Sequence, residues 1–120
     1  MFVDLFVGSE APSFVSSPAF LQLCRGALSP VGVAAFNLPA ADAVFVERCR
    51  AIFGRGNVFS FPVPASANVV VLARQASSSD DDDAVHVSHR HFYRRAQALQ
   101  KSHALPYDLS GHYPFWWCLW

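Results

Sequence analysis

The residue best placed to do chemistry is Asp4. It follows Met1, Phe2 and Val3 directly, so a carboxylate stands where an apolar strand gives way to a loop. A carboxylate in that position can accept a proton from an amine and leave it in its nucleophilic form. The structural alternative is a loop aspartate that accepts hydrogen bonds from backbone N–H groups such as those of residues 6 to 8. A second candidate set is His86, His89 and His91, with Asp80–Asp83 just upstream. Imidazoles at that spacing can hold zinc or nickel. On a helix the three point in different directions, and no Cys or fixed acid completes a tetrahedral set, so no metal site is expected. His89, Arg90, His91, Arg94, Arg95 and Lys101, with Phe92 and Tyr93 among them, have the make-up of a phosphate-contacting stretch. The four aspartates ahead of it would repel the same ligand, and the outer face of an amphipathic helix is the expected reading. Ser77–Ser79 before the acidic run would suit an acid-directed kinase, against a plain polar linker. Cys24 and Cys49 have no base near them in sequence, and Cys118 makes the count odd. Reduced, buried thiols are expected, not nucleophiles.

The elements that must position these residues follow from the pattern. FVDLF (2–6) predicts a short buried strand, and residues 7–16 a loop punctuated by Gly8, Pro12 and serines. Ser17-Pro18 is a helix start, with Ser as N-cap and Pro in the first turn, and Phe20, Leu21, Cys24 and Leu28 form its inner face. VAAFNL (33–38) is apolar on both alternations except Asn37, as a central parallel strand would be. Asp42 is expected to cap a second helix over about 43–53, with Phe45, Cys49, Ile52 and Phe53 inward and Gly54 and Gly56 stopping it. NVFSFPV (57–63) and NVVVLAR (68–74) are expected to form an antiparallel hairpin, with Pro62 and Pro64 marking the first as the edge strand. The two crossover helices suggest that the first three strands are parallel neighbours. Residues 76–88 predict an acidic flexible linker, 89–103 a last helix, and the tail ending in PFWWCLW an irregular aromatic segment that packs on an open sheet face or on a partner.

Composition narrows the classes further. The chain has 120 residues, 52% of them hydrophobic, enough to build one core. Lys and Arg number 9 and Asp and Glu 9, so no net charge draws the chain to nucleic acid or to an anionic membrane. No apolar run reaches the ~20 residues of a transmembrane helix. No basic region followed by an apolar run opens the chain, and a cytoplasmic location is expected.

Taken together, DLFVGSEAP, SPAFLQLCRGALSPVGVAAFNLP and FVERCRAIFGRGNVFSFPVPASANVVVLARQ resemble a known family over roughly residues 1–75. The similarity is to the C-terminal half of the spermidine synthase-like (polyamine aminopropyltransferase-like) branch of the class I S-adenosylmethionine-dependent methyltransferase fold. Its carriers are Asp4 ending a strand, Pro12 in the loop, the helix from Phe20 to Leu28, the turn from Pro30 to Val33, Asn37, Phe53 and the final strand from Asn68 to Ala73. The resemblance implies an α/β, partial Rossmann-like methyltransferase fold, with parallel strands, crossover helices and a terminal antiparallel hairpin, plus a C-terminal helix. It also implies ancestral methyl or aminopropyl transfer to an amine, with S-adenosylmethionine or its decarboxylated form as family cofactor and Asp4 facing the substrate amine. Two departures stand against activity. No glycine-rich turn for the cofactor is present: Gly54-Arg55-Gly56 ends a helix, where it reads as a cap. Spermidine synthases also carry two acids in a D-S-S-D-P-like loop, and Val7 stands where the second would be.

These readings divide the chain into a half-domain (1–75), a linker (76–88) and a helix with an aromatic tail (89–120). No cofactor is expected for the chain alone, and the expected partners are a second copy or a missing N-terminal half, with no nucleic acid and no membrane. The alternative is a non-catalytic interaction module that pairs through an exposed sheet edge at residues 2–6 and the aromatic tail. A proline at Val3 is expected to block that edge.

Overall fold

The computed structural model describes residues 1–63, 65–75 and 89–106. The chain divides into two compact units, Met1–Ala84 and Val85–Trp120. The first is an α/β unit built on one mixed four-stranded sheet.

In order, its elements are strand β1 (Phe2–Val3), a 3-10 turn (Ser13–Ser16), helix α1 (Pro18–Gly26), strand β2 (Val33–Leu38), helix α2 (Ala43–Phe53), a second 3-10 turn (Arg55–Asn57), and strands β3 (Val58–Pro62) and β4 (Val69–Arg74). Both helix starts follow their capping chemistry. Ser17 Oγ accepts from the Phe20 N–H at 3.2 Å, with Pro18 at the first helical position, and Asp42 Oδ1 accepts from the Phe45 N–H at 2.9 Å. α2 stops at Gly54, whose φ of 91° suits a residue without a Cβ. The amide of Asn57 then donates to the Phe53 carbonyl at 3.0 Å, satisfying one of the acceptors the helix leaves open.

The sheet order is β1-β2-β4-β3. β1 and β2 are parallel, whereas β4 is antiparallel to both β2 and β3. This corrects the expectation that the first three strands lie side by side. β3 is the outer strand, as its prolines predict, and β4 takes the place beside β2. The reason is backbone chemistry. Pro62 has no N–H to offer an interior ladder, while VVVLAR can pair on both sides and bury Val69, Val71 and Ala73.

One row across the sheet, Val3–Phe36–Val71–Ser60, turns toward the helices. There Leu21 and Cys24 of α1 and Phe45, Cys49 and Phe53 of α2 close on Val3, Ala34, Phe36, Leu38 and Val58. Phe36 and Phe45 meet edge to face, with ring centres 5.3 Å apart. Burying each of these large side chains stabilises the fold by roughly 1.5–3 kcal/mol. Val15 also enters the core, from a 3-10 turn within the segment read as plain loop.

Among the described residues nothing pairs with the outer side of β1. Met1 N donates to the Val33 carbonyl, and the Ala35 N–H donates to the Met1 carbonyl. By the two-residue alternation of a parallel ladder, Val3 also turns its polar groups toward β2, and Phe2 and Asp4 turn theirs outward. A proline at Val3 would therefore break β1 from β2. Phe2, 91% exposed, is the position that governs the open edge.

In the second unit, helix α3 (His89–Ser102) occupies the span expected for the last helix. Ala96 is buried, while Arg94, Arg95 and Lys101 are exposed, in keeping with a charged outer face. Gln97 Nε2 donates to the Tyr93 hydroxyl one turn back at 3.0 Å. The linker 76–88 and the aromatic tail lie outside the described residues. Among those described, no helix is long and apolar enough to cross a membrane.

Candidate functional site

Asp4 lies just past the carboxyl end of β1, exposed to solvent, with Asn37 near the carboxyl end of the parallel neighbour β2. Because β4 runs antiparallel, its beginning reaches the same end of the sheet, and Leu38 pairs with Val69. Asn68, one residue before β4, is thereby brought beside Asn37. The three side chains form a chain of hydrogen bonds. Asn68 Nδ2 donates to Asn37 Oδ1 at 3.3 Å, and Asn37 Nδ2 donates to Asp4 Oδ1 at 3.0 Å. Asn68 is itself held by its backbone: its N–H donates to Ser66 Oγ at 3.1 Å, and its carbonyl accepts from the Val63 N–H at 2.9 Å.

The loop-capping role considered for Asp4 is not what the structure contains. Among the described residues its hydrogen bond is to Asn37 through Oδ1, and Oδ2 has no protein partner. The loop after it closes on itself instead, with Val7 and Glu10 exchanging backbone bonds at 2.8 and 3.3 Å around Gly8, whose φ is 66°. Val7, where the resembling family has its second acid, is 73% exposed.

The opposite end of the sheet is also polar but is tied off. Arg25 donates through Nη1 to the Ile52 carbonyl near the end of α2 and through Nε to Gln75 Oε1 at 3.3 Å. Arg74 donates through Nε and Nη2 to Asn57 Oδ1 at 3.1 and 2.8 Å. A surface pocket of about 340 Å³ lies here, lined by Gln22, Arg25, Gly26, Ala51, Ile52 and Gln75.

No protein-family model, curated protein or solved structure matches the chain.

The remaining candidates separate clearly. Burial, reinforced by the neighbouring Cys24, pushes the Cys49 thiol up to about 12, and burial also raises Cys24. Both therefore stay as thiols at neutral pH, which removes them as nucleophiles. Glu47 is held below the usual carboxylate range chiefly by its hydrogen bond from Arg50 at 2.6 Å, with the Arg55 charge adding to the effect. That pair is a surface feature of α2. Of the histidine set, His86 and the side chains of His89 and His91 lie outside the described residues. Among those described, no three His, Cys, Asp or Glu side chains gather for a metal.

Asn37 and Asn68 were visible in the sequence as single residues of a resemblance, not as partners. Asn37 stood out as the lone polar residue of VAAFNL, and Asn68 as the polar residue just ahead of VVVLAR. Only the placement of β4 beside β2 turns those signals into a contact.

Proposed function

We propose that residues 1–75 are the second half of a Rossmann-like, S-adenosylmethionine-dependent transferase domain of the spermidine synthase-like kind, a degenerate member inactive by itself. The ancestral chemistry of this reading is methyl or aminopropyl transfer to an amine, with Asp4 as the carboxylate that receives the amine. The observation that carries it is the position of Asp4: past the carboxyl end of a strand with a parallel neighbour, at the sheet end where open α/β folds take their ligands, with one oxygen that no described residue contacts. Val7 in place of the second acid argues against polyamines as the substrate.

Two measurements test the reading. Calorimetry of the full chain with S-adenosylmethionine, and with its decarboxylated form, is expected to give no saturable binding. Micromolar binding would overturn the half-domain assignment. Second, residues 1–75 joined behind the first half of a spermidine synthase-like enzyme should fold and bind the cofactor. Failure of several such chimeras to fold would count against the resemblance.

A second reading rests on a different observation, the outer side of β1, which no described residue pairs with. Met1, Phe2, Leu5, Phe6 and Val7 are all exposed beside it. An unpaired edge next to apolar side chains is a template for another chain, so the unit would serve as an interaction module pairing with a second copy. Sedimentation velocity tests this reading: a concentration-dependent dimer weakened by Phe2→Pro supports the module, and a monomer at every concentration overturns it.

A further inference from the structure

The chain of side chains at the carboxyl end has a direction, and chemistry dictates it. An ionised carboxylate only accepts hydrogen bonds, whereas an amide has one accepting and one donating end. Asp4 therefore requires Asn37 to face it with Nδ2, which turns Asn37 Oδ1 toward Asn68. Asn68 must then present its own Nδ2. Both contacts have that polarity. Each link comes from a different strand region, and the far end is fixed by the β3–β4 connection through Ser66 and Val63.

We propose that Asn37 and Asn68 are positioning residues for Asp4. They form a polarised relay that commits Oδ1 to the protein and presents Oδ2 to the N–H group of a ligand. The relay couples the β3–β4 connection to the carboxylate, so that orientation at Asn68 sets orientation at Asp4. It deepens the transferase reading of Asp4 and rests on it for the ligand, but the relay itself is testable without cofactor or transfer.

The test is to reverse the direction of the relay in the full chain. Asp4→Asn should leave it intact, because the new amide can still accept from Asn37. Asn68→Asp is nearly isosteric, yet it places Asn37 between two acceptor-only groups, so one contact must fail. The expected result is a Tm lower by about 3–5 °C, the size of one lost hydrogen bond in a small domain. The double variant Asp4→Asn/Asn68→Asp keeps the net charge and lets the relay run backwards, from residue 4 to Asn37 to residue 68. Its Tm should return to within about 1–2 °C of the starting protein.

The side-chain amide signal of Asn37 in ¹H–¹⁵N spectra supplies a readout that simple filling of space would not move. It should shift in Asn68→Asp, where Asn37 loses one of its two side-chain contacts, and move back toward its starting position in the double variant, where both contacts are restored. A double variant whose Tm loss equals the sum of the two single losses would overturn the proposal. So would an Asn37 signal indifferent to Asn68→Asp. If the relay holds while the chimera binds no cofactor, the positioning stands and the transferase reading falls.

Discussion

The two ends of the sheet in the first unit carry similar numbers of polar side chains and use them differently. At the end holding Arg25, Arg74, Asn57 and Gln75, guanidinium groups bind a helix carbonyl or a side-chain amide oxygen. Those contacts fasten α1 to α2 and the second 3-10 turn to β4. At the end holding Asp4, Asn37 and Asn68, the bonds run from amide to amide to carboxylate, and among the described residues they stop with one oxygen unclaimed. The first end is finished as structure. The second holds a solvent-exposed carboxylate in place through one of its two oxygens. A polar cluster is thus better judged by what it leaves over than by how many groups it contains.

The comparison can be broken most severely from behind. Phe36→Ala removes a ring at zero exposure from the strand that serves both ends, and should cost about 3–5 kcal/mol in denaturant unfolding, loosening both together. A loss confined to one end would mean that the ends do not share a platform. Next in size is an alkaline effect seated in the helix layer. The folded Cys49 value of about 12 lies above the ordinary 9.0, so the stability due to its neutral thiol is complete below pH 9 and is lost as pH rises toward 12. Cys49→Ala should lower stability at neutral pH and flatten its decline over that window in pH-dependent melting. An unchanged slope would assign the decline to other groups.

Arg25→Ala should cost about 1 kcal/mol, because it releases the Ile52 carbonyl and Gln75 while leaving the Asn37 amide signal alone. Movement of that signal would show the two ends to be coupled. Asp4→Asn is expected to be the mildest change, within about 0.5 kcal/mol by thermal melting, since an exposed acceptor replaces an exposed acceptor. A larger loss would make Asp4 a structural group and remove the contrast between the ends.

Most of the first unit was legible in its sequence because its signals are local. Ser17-Pro18 and Asp42 cap the helices they precede, Gly54 ends α2, and Phe45, Cys49 and Phe53 recur at the spacing of one helix face. Pro62 correctly marked β3 as an outer strand. What was not legible was adjacency. Nothing in VVVLAR states that it pairs with VAAFNL some thirty residues away, because apolar strands of equal length can exchange places at little local cost. The candidate site inherited that gap. Asp4 could be singled out from its place after Val3, but its connection to Asn68 depends on strand order alone. The same holds for the edge: composition identified residues 2–6, while the choice between Val3 and Phe2 needed the direction of the ladder.

The central position of β4 has a consequence in time. It is the last strand of the sheet to be synthesised, yet it supplies the only described pairing partner of β3 and the inner neighbour of β2. A nascent chain ending before Val69 therefore has two open strands that cannot satisfy one another in the native arrangement. Sheet closure must wait for β4 to emerge from the ribosome. Contacts that far apart in sequence form slowly relative to local ones. During that interval Val58–Pro62, which carries Val58, Phe59 and Phe61, has no native pairing partner, and a stretch of that kind is open to association with other chains.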